Sequence, residues 1–230
     1  IARRYNPAIA REINRAMNEA ASKLGNPLAE DQVRAKHAKN LFDILSSLWI
    51  DSGNASVSGN FKIAKSFLMM EFKRDITTPI VDAAIADWIK IYAPKRITEI
   101  TATTGKEIRK IVADARTEGL SERETAKLIR EVAPMKSASR SQTIARTEAH
   151  GSSQGISLDV ANQADIPMKK VWLTNVSDST REEHIDVDGQ KVALNERFDV
   201  GGEMLDYPGD PNGSAENVIN CRCVLGYEVA

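Results

Sequence analysis

Cysteine is nearly absent. There are two in 230 residues, far too few for the disulfide framework of a small secreted domain. They stand one residue apart, as Cys221-Arg222-Cys223, which is poor spacing for a bridge between them, so a reducing, cytoplasmic setting is expected. Aromatic residues make up only 5%, which disfavours a stacking platform for single-stranded nucleic acid. No run reaches 18 consecutive apolar residues, and a membrane-spanning helix is excluded on that ground. No charged-then-apolar leader opens the sequence, so no secretory signal is expected.

Net charge is also low, at -1, but it conceals a split. Residues 1–135 carry 22 Lys/Arg against 17 Asp/Glu, or +5, and residues 136–230 carry 9 against 15, or -6. The acidic half is ill suited to wrapping duplex DNA, and the surplus in the basic half supports no more than weak, non-specific contact. With 42% hydrophobic and 27% charged residues, the composition is that of a globular chain. Its length suits one large domain or two small ones, each able to bury a core.

What the sequence has in quantity is helical periodicity. Asn6-Pro7 predicts a cap followed by Pro at the first helical position. Ile9, Ile13, Ala16, Met17, Ala20 and Leu24 then recur every three or four residues, up to Gly25. A second helix carries Val33, Leu41, Ile44, Leu45 and Leu48, and is expected to stop at Asp51-Ser52-Gly53-Asn54, with a loop to Asn60. Another helical pattern runs from Phe61 to Tyr92, with Pro79 as a break or kink. It includes the apolar stretch Phe67, Leu68, Met69, Met70 and Phe72, read as buried helix core or as a docking stripe. After Pro94, Ile97, Ile100, Ile108, Ile111, Val112 and Ala115 predict a helix weakened at Gly105 and ended by Gly119. Ser121-Glu122-Arg123-Glu124 is a capping box. It opens a helix expected to end at Pro134, before a polar linker over 135–142 and a further helix from Thr143 towards Ala164. His37, beside Lys36 and Lys39, is expected to be exposed or at an interface. Trp49 and Trp88 read as core or partner-helix contacts.

The character changes after Pro167. Val171-Trp172-Leu173 predicts a strand that leaves Lys169 and Lys170 behind it. Ser177-Asp178 caps a helical turn through His184, Asp188-Gly189 marks a turn, and Gln190–Leu194 reads as a strand. Gly201-Gly202 and residues 207–213 read as irregular loop. A last strand, Cys221 to Glu228, places Cys221, Cys223, Leu225 and Tyr227 on one face. Helices first and strands last make an α+β protein. A long N-terminal helical region (1–93) precedes a second region (94–230), with helices over 94–165 and a small strand-and-loop module over 166–230.

The residues with chemical potential follow position 145. Arg146 and His150 are four apart on one helix, Arg181 and His184 three apart, and the two cysteines close the set. Both thiols project from one strand toward one point, and His150 and His184 could complete a four-ligand structural zinc set. Such a staple suits a small, loop-rich module. Two other readings stay open. Cys221 and Cys223 could be small buried hydrophobes beside hydrogen-bonded histidines, or one thiol could be a nucleophile, though no helix N-terminus is at hand to lower its pKa.

The order of motifs resembles a known family. It runs Gly119-Leu120-Ser121, Arg146-Thr147-Glu148, Trp172, Asp178-x-x-Arg181-x-x-His184, Asp188-Gly189, Pro208-Gly209-Asp210-Pro211 and Asn220-Cys221-x-Cys223. Over roughly residues 95–230 this is similar to the phage Mu protein F-like family of head morphogenesis proteins. The resemblance implies a non-enzymatic minor capsid component of a tailed bacteriophage or prophage. It would be assembled in the host bacterial cytoplasm and reside in the virion, in the capsid interior or at the portal vertex. The implied partners are the portal protein and the major capsid or scaffolding protein, with packaged DNA as a weak contact and no membrane. A rival class is a metal-dependent nuclease-like or toxin-type enzyme using His184 with Asp186 and Asp188, but that cluster lacks a base held by a second residue.

Overall fold

A computed structural model describes residues 1–23, 27–71, 78–164 and 166–229. Long helices come first: α1 (Ala2–Ser22), α2 (Pro27–Glu71), α3 (Thr78–Thr117) and α4 (Glu122–Gln163). Short elements follow: β1 (Met168–Leu173), α5 (Glu182–Asp186), β2 (Lys191–Ala193), β3 (Phe198–Val200), β4 (Glu203–Leu205), α6 (Ala215–Val218) and β5 (Val224–Val229). The expected α+β order is therefore what forms. Its contacts gather into two units, Ile1–Leu48 with Tyr92–Arg146 and Trp49–Ile91 with Thr147–Ala230. Residue 93, the predicted end of the N-terminal region, lies inside α3.

Several sequence-level stops prove to be passages. Asn6-Pro7 is not a helix start, because α1 begins at Ala2 and Pro7 lies inside it. There the missing N–H costs a single main-chain bond, and the Asn6 side chain accepts from the Ser141 hydroxyl instead of capping. The Ser/Gly/Asn cluster after Asp51 continues as helix in α2. At Gly53 an added Cβ would come within 2.7 Å of both Ile85 and Ile156, so glycine is there for close helix contact, which outweighs its low propensity. Pro94 and Pro134 lie inside α3 and α4. The linker expected over 135–142 is helical because its serines bond back to the helix. Ser137 Oγ donates to the Pro134 carbonyl and Ser141 Oγ to that of Ala138, so both bury without an unmet hydroxyl.

Other signals hold. Gly119 adopts φ +72 just past α3, and the Leu120 N–H donates to the Ala115 carbonyl, closing the helix through a left-handed residue. The capping box forms in both directions: Ser121 N–H donates to Glu124 Oε2 at 2.8 Å, and Glu124 N–H to Ser121 Oγ at 3.3 Å. Pro79 sits in the first turn of α3. The apolar stretch from Phe67 to Phe72 lies outside the described side chains.

The first unit is helical. Ile9, Ile13, Ala16 and Met17 of α1 are buried, as are Leu41, Leu45 and Leu48 of α2, Ile97 and Ile100 of α3, and Ile129 of α4. A polar chain threads this core. Glu12 is buried and accepts from Arg15 and from His37 Nδ1 at 2.9 Å. His37 Nε2 lies 3.4 Å from the Thr104 hydroxyl, which accepts from Arg140 at 2.7 Å. Arg140 also donates to the Ile100 carbonyl and Glu107. His37 is thus buried, at 2% exposure, and not on the surface as its lysine neighbours suggested. The reason is a carboxylate on α1 and a hydroxyl on α3, which meet both ring nitrogens and offset the cost of burial.

The second unit holds the strands. β2, β1 and β5 form an antiparallel sheet in that order, with Trp172 opposite Leu225, and β3 pairs with β4. The Gly201-Gly202 segment read as irregular is a two-residue hairpin turn, with φ +61 and +86. Positive φ at both central residues suits the strand twist and favours glycine. Lys169 and Lys170 belong to β1. Lys170 is buried, with Nζ donating to the Asp206 carbonyl at 2.9 Å and lying 5.4 Å over the Phe198 ring. The core joins Leu158, Trp172, Phe198, Leu205, Tyr207 and Leu225 to both cysteines. On the helical side Trp49 and Trp88 meet edge to face at 5.3 Å. A Cβ at Gly155 would come within 2.6 Å of Trp88 and 2.7 Å of Tyr207.

Candidate functional site

α5 is a single turn that buries one residue, His184, and leaves its other positions outward. The ring stands edge to face against Trp172 at 5.4 Å. From the far side comes the segment before β5. Ser214 caps α6 by accepting from the Asn217 N–H, which turns Asn217 inward. Asn220 then takes φ +58, a left-handed conformation that Asn tolerates better than most residues. Its N–H donates to Thr147 Oγ1 at 3.2 Å, and Arg181 donates to the Ile219 carbonyl at 2.7 Å. This clamped turn delivers Cys221 and Cys223 to the imidazole.

His184 Nδ1 lies 3.3 Å from Cys223 Sγ and 3.7 Å from Cys221 Sγ. Its Nε2 lies 3.3 Å from Asn217 Oδ1. The three ligand-type atoms sit within 4.8 Å of one another, and among the described residues no other such His, Cys, Asp or Glu group gathers. Burial is nearly complete, at 2 to 3% exposure for all three residues. The hydrogen bond shared with Cys221 draws the Cys223 thiol down to about 4; burial opposes this and His184 assists it. The same shared bond, with burial, pushes the Cys221 thiol up. One thiolate in the pair is therefore favoured without the help of a helix terminus.

His150, the fourth ligand of the expected zinc set, stands apart from this trio. Burial drives its imidazole down to about 4, against the nearby charge of Cys223, which favours the proton. Its Nε2 has no hydrogen-bond partner among the described residues. A Cβ at Gly209 would press on the ring at 2.8 Å.

The other motif residues are mostly struts. Buried Glu148 accepts from Trp49 Nε1 at 3.3 Å. The Asp188 carboxylate accepts from the Thr174 N–H at 2.6 Å, and Gly189, at φ +74, donates to the Trp172 carbonyl at 2.8 Å. Asp210 caps two main-chain N–H groups, of Asp206 and Asn212. Arg146 belongs to the first unit, and Asp178 is exposed in a turn; neither joins the trio, nor do Asp186 and Asp188.

Sequence reasoning missed Asn217, for which the spacing Ser214-x-x-Asn217 was the available signal. It also missed Gln154, whose Oε1 accepts from the Leu225 N–H at 2.7 Å; a lone Gln on a helix carries no such signal. Chemically, Cys223, His184 and Asn217 are connected in the order of a Cys-His-Asn nucleophile set. At 2, 2 and 9% exposure, they present no open face to a substrate.

Comparison with known proteins gives a consistent context. The family described as Phage Mu protein F like protein matches residues 106–226. The chain is 25% identical over 162 residues to the uncharacterized protein YqbB of Bacillus subtilis, covering 69% of this chain and 53% of that protein. It is 28% identical over 222 residues to a protein of Enterococcus faecalis named NAD(+)--arginine ADP-ribosyltransferase EFV, covering 94% of this chain and 42% of that one. The chain therefore spans about half the length of the curated relatives it matches. No solved structure matches it.

Proposed function

The chain belongs to the phage Mu protein F like family, and from that premise we propose that it is a minor capsid component that joins the procapsid through the portal protein. The family supports the coarser statement directly: this is a structural phage protein family, and its role and place are those of a phage head protein in the virion. Among the described residues no helix is long and apolar enough to cross a membrane.

One observation supports the structural reading over an enzymatic one. Motif residues Glu148, Asp188, Gly189, Arg181 and Asn220 make internal hydrogen bonds, and the thiol–imidazole cluster is closed to solvent. These residues shape a rigid body, as an assembly component requires. The activity in the name of the Enterococcus faecalis relative is that of a protein more than twice the length matched here. For the nuclease-like alternative, His184, Asp186 and Asp188 do not converge.

Major capsid or scaffolding protein is the second partner in this reading, and any DNA contact falls to the basic residues before position 136. Co-expression of the chain with the portal protein tests the main claim. Co-elution, and detection of the chain in purified heads in few copies, is the expected result. Heads that lack the chain, with no co-elution, would overturn it. DNA binding should be weak and fall steeply with added salt.

A further inference from the structure

We propose that His184 Nδ1, Cys221 Sγ and Cys223 Sγ are three ligands of a zinc ion. The geometry carries this. For tetrahedral zinc with Zn–S near 2.3 Å and Zn–N near 2.05 Å, the ligand atoms stand about 3.5 Å apart for N and S and about 3.8 Å for two sulfurs. The observed separations from the imidazole nitrogen are 3.3 and 3.7 Å. Two edges of such a tetrahedron are therefore already outlined, the third, between the sulfurs, is no longer than 4.8 Å, and no carboxylate joins the group. Two sulfurs and an imidazole suit zinc and disfavour calcium or magnesium.

The imidazole is also set in the required tautomer. The Asn217 side chain presents its Oδ1 to His184, and an amide oxygen can only accept. Nε2 must then carry the ring proton and donate it across 3.3 Å, which leaves the Nδ1 lone pair facing both sulfurs. A metal-bound histidine held by a second residue through its other nitrogen is the common arrangement. Asn217 does not belong to the motif order that marks the family. His150 stays outside the coordination shell, since it does not join the group of ligand atoms. On binding, the thiol that still carries its proton gives it up to solvent and both thiolates donate lone pairs to zinc; no electron is transferred.

The test uses the full chain, expressed under reducing conditions and purified without chelator. Elemental analysis should find about one zinc per chain. Cobalt(II) loaded into the chelated protein should show thiolate-to-metal charge-transfer absorption, and X-ray absorption on the zinc form should fit a shell that includes two sulfurs and one imidazole nitrogen. Failure to take up zinc after reloading, a shell without sulfur, or a Cys221–Cys223 disulfide in the freshly purified protein would each overturn the proposal. Ligand variants such as Cys223→Ser could fail to fold, so Asn217→Ala provides a second reading. It should bind zinc to the same stoichiometry with affinity reduced about 10- to 100-fold. Unchanged affinity would overturn the assignment of Nδ1 as the ligand.

Discussion

The two units of this chain solve the burial of polar groups in opposite ways. In the first, helices are joined through a charged chain running from Arg15 and Glu12 to His37, Thr104 and Arg140. In the second, short strands and turns enclose an apolar core into which two thiols and one imidazole project, and the buried charged side chains Lys170 and Glu148 are met one at a time and form no chain. Helices satisfy their own backbone, so a helical core can take charged side chains if each finds a partner. A loop-rich unit must satisfy its backbone piece by piece. It does so with short side chains such as Asp188, Asp210 and Ser214 that cap nearby N–H groups.

The largest effect expected from breaking this contrast lies in the apolar unit. Trp172 is fully buried and meets both His184 and Phe198 edge to face, so Trp172→Ala should cost about 3 to 5 kcal/mol in urea unfolding. Next comes the charged chain. Glu12→Ala removes the acceptor that His37, Arg15 and Asn40 share, leaving Arg15 only Glu19, and should cost up to about 3 kcal/mol.

That same carboxylate gives the first unit a pH signature. Burial pushes Glu12 up, but the hydrogen bonds from His37, Arg15 and Asn40 outweigh it and hold its pKa at about 2, against 4.5 ordinarily. A depressed folded pKa stabilises the fold above the ordinary value, and that stability fades as pH falls from about 4.5 towards 2. Wild-type protein should therefore lose more unfolding free energy between pH 6 and pH 3 than Glu12→Ala does. Equal losses would show that the buried carboxylate has no special role.

Smaller effects sharpen the comparison. Gly155→Ala drives a methyl group against Trp88 and Tyr207 and should cost about 1 to 3 kcal/mol by overpacking. The effect should appear as a lower unfolding midpoint. Ser121→Ala, which removes half of an exposed capping box, should cost about 1 kcal/mol.

Much of this fold was legible. Periodicity gave the buried faces of α1 and α2, and Gly119 with Ser121-x-x-Glu124 marked the turn between α3 and α4. The errors share one cause. Pro94, Pro134, Gly53 and the serines of 135–142 are local signals for a break, and tertiary burial outweighs each by more than the hydrogen bond or propensity lost. At the site, strand alternation set Cys221 and Cys223 together, and they do meet at His184, but from the turn before β5, which begins only at Val224 and not at Cys221. His150 was not separable from the trio, since its four-residue spacing from Arg146 says nothing of where residues more than 30 positions on will gather. Lys170 and His37 were misplaced for a related reason: a buried cation or imidazole is decided by partners distant in sequence.

The central claim is that the motif residues build a closed scaffold and not a reaction site. Thiol labelling of the native full chain at neutral pH tests this most directly, with a small alkylating reagent and a denaturant series alongside. Cys221 and Cys223 should remain unmodified until denaturant unfolds their unit, and then react together. Rapid labelling of either one in the absence of denaturant would contradict the account and point instead to an accessible nucleophile.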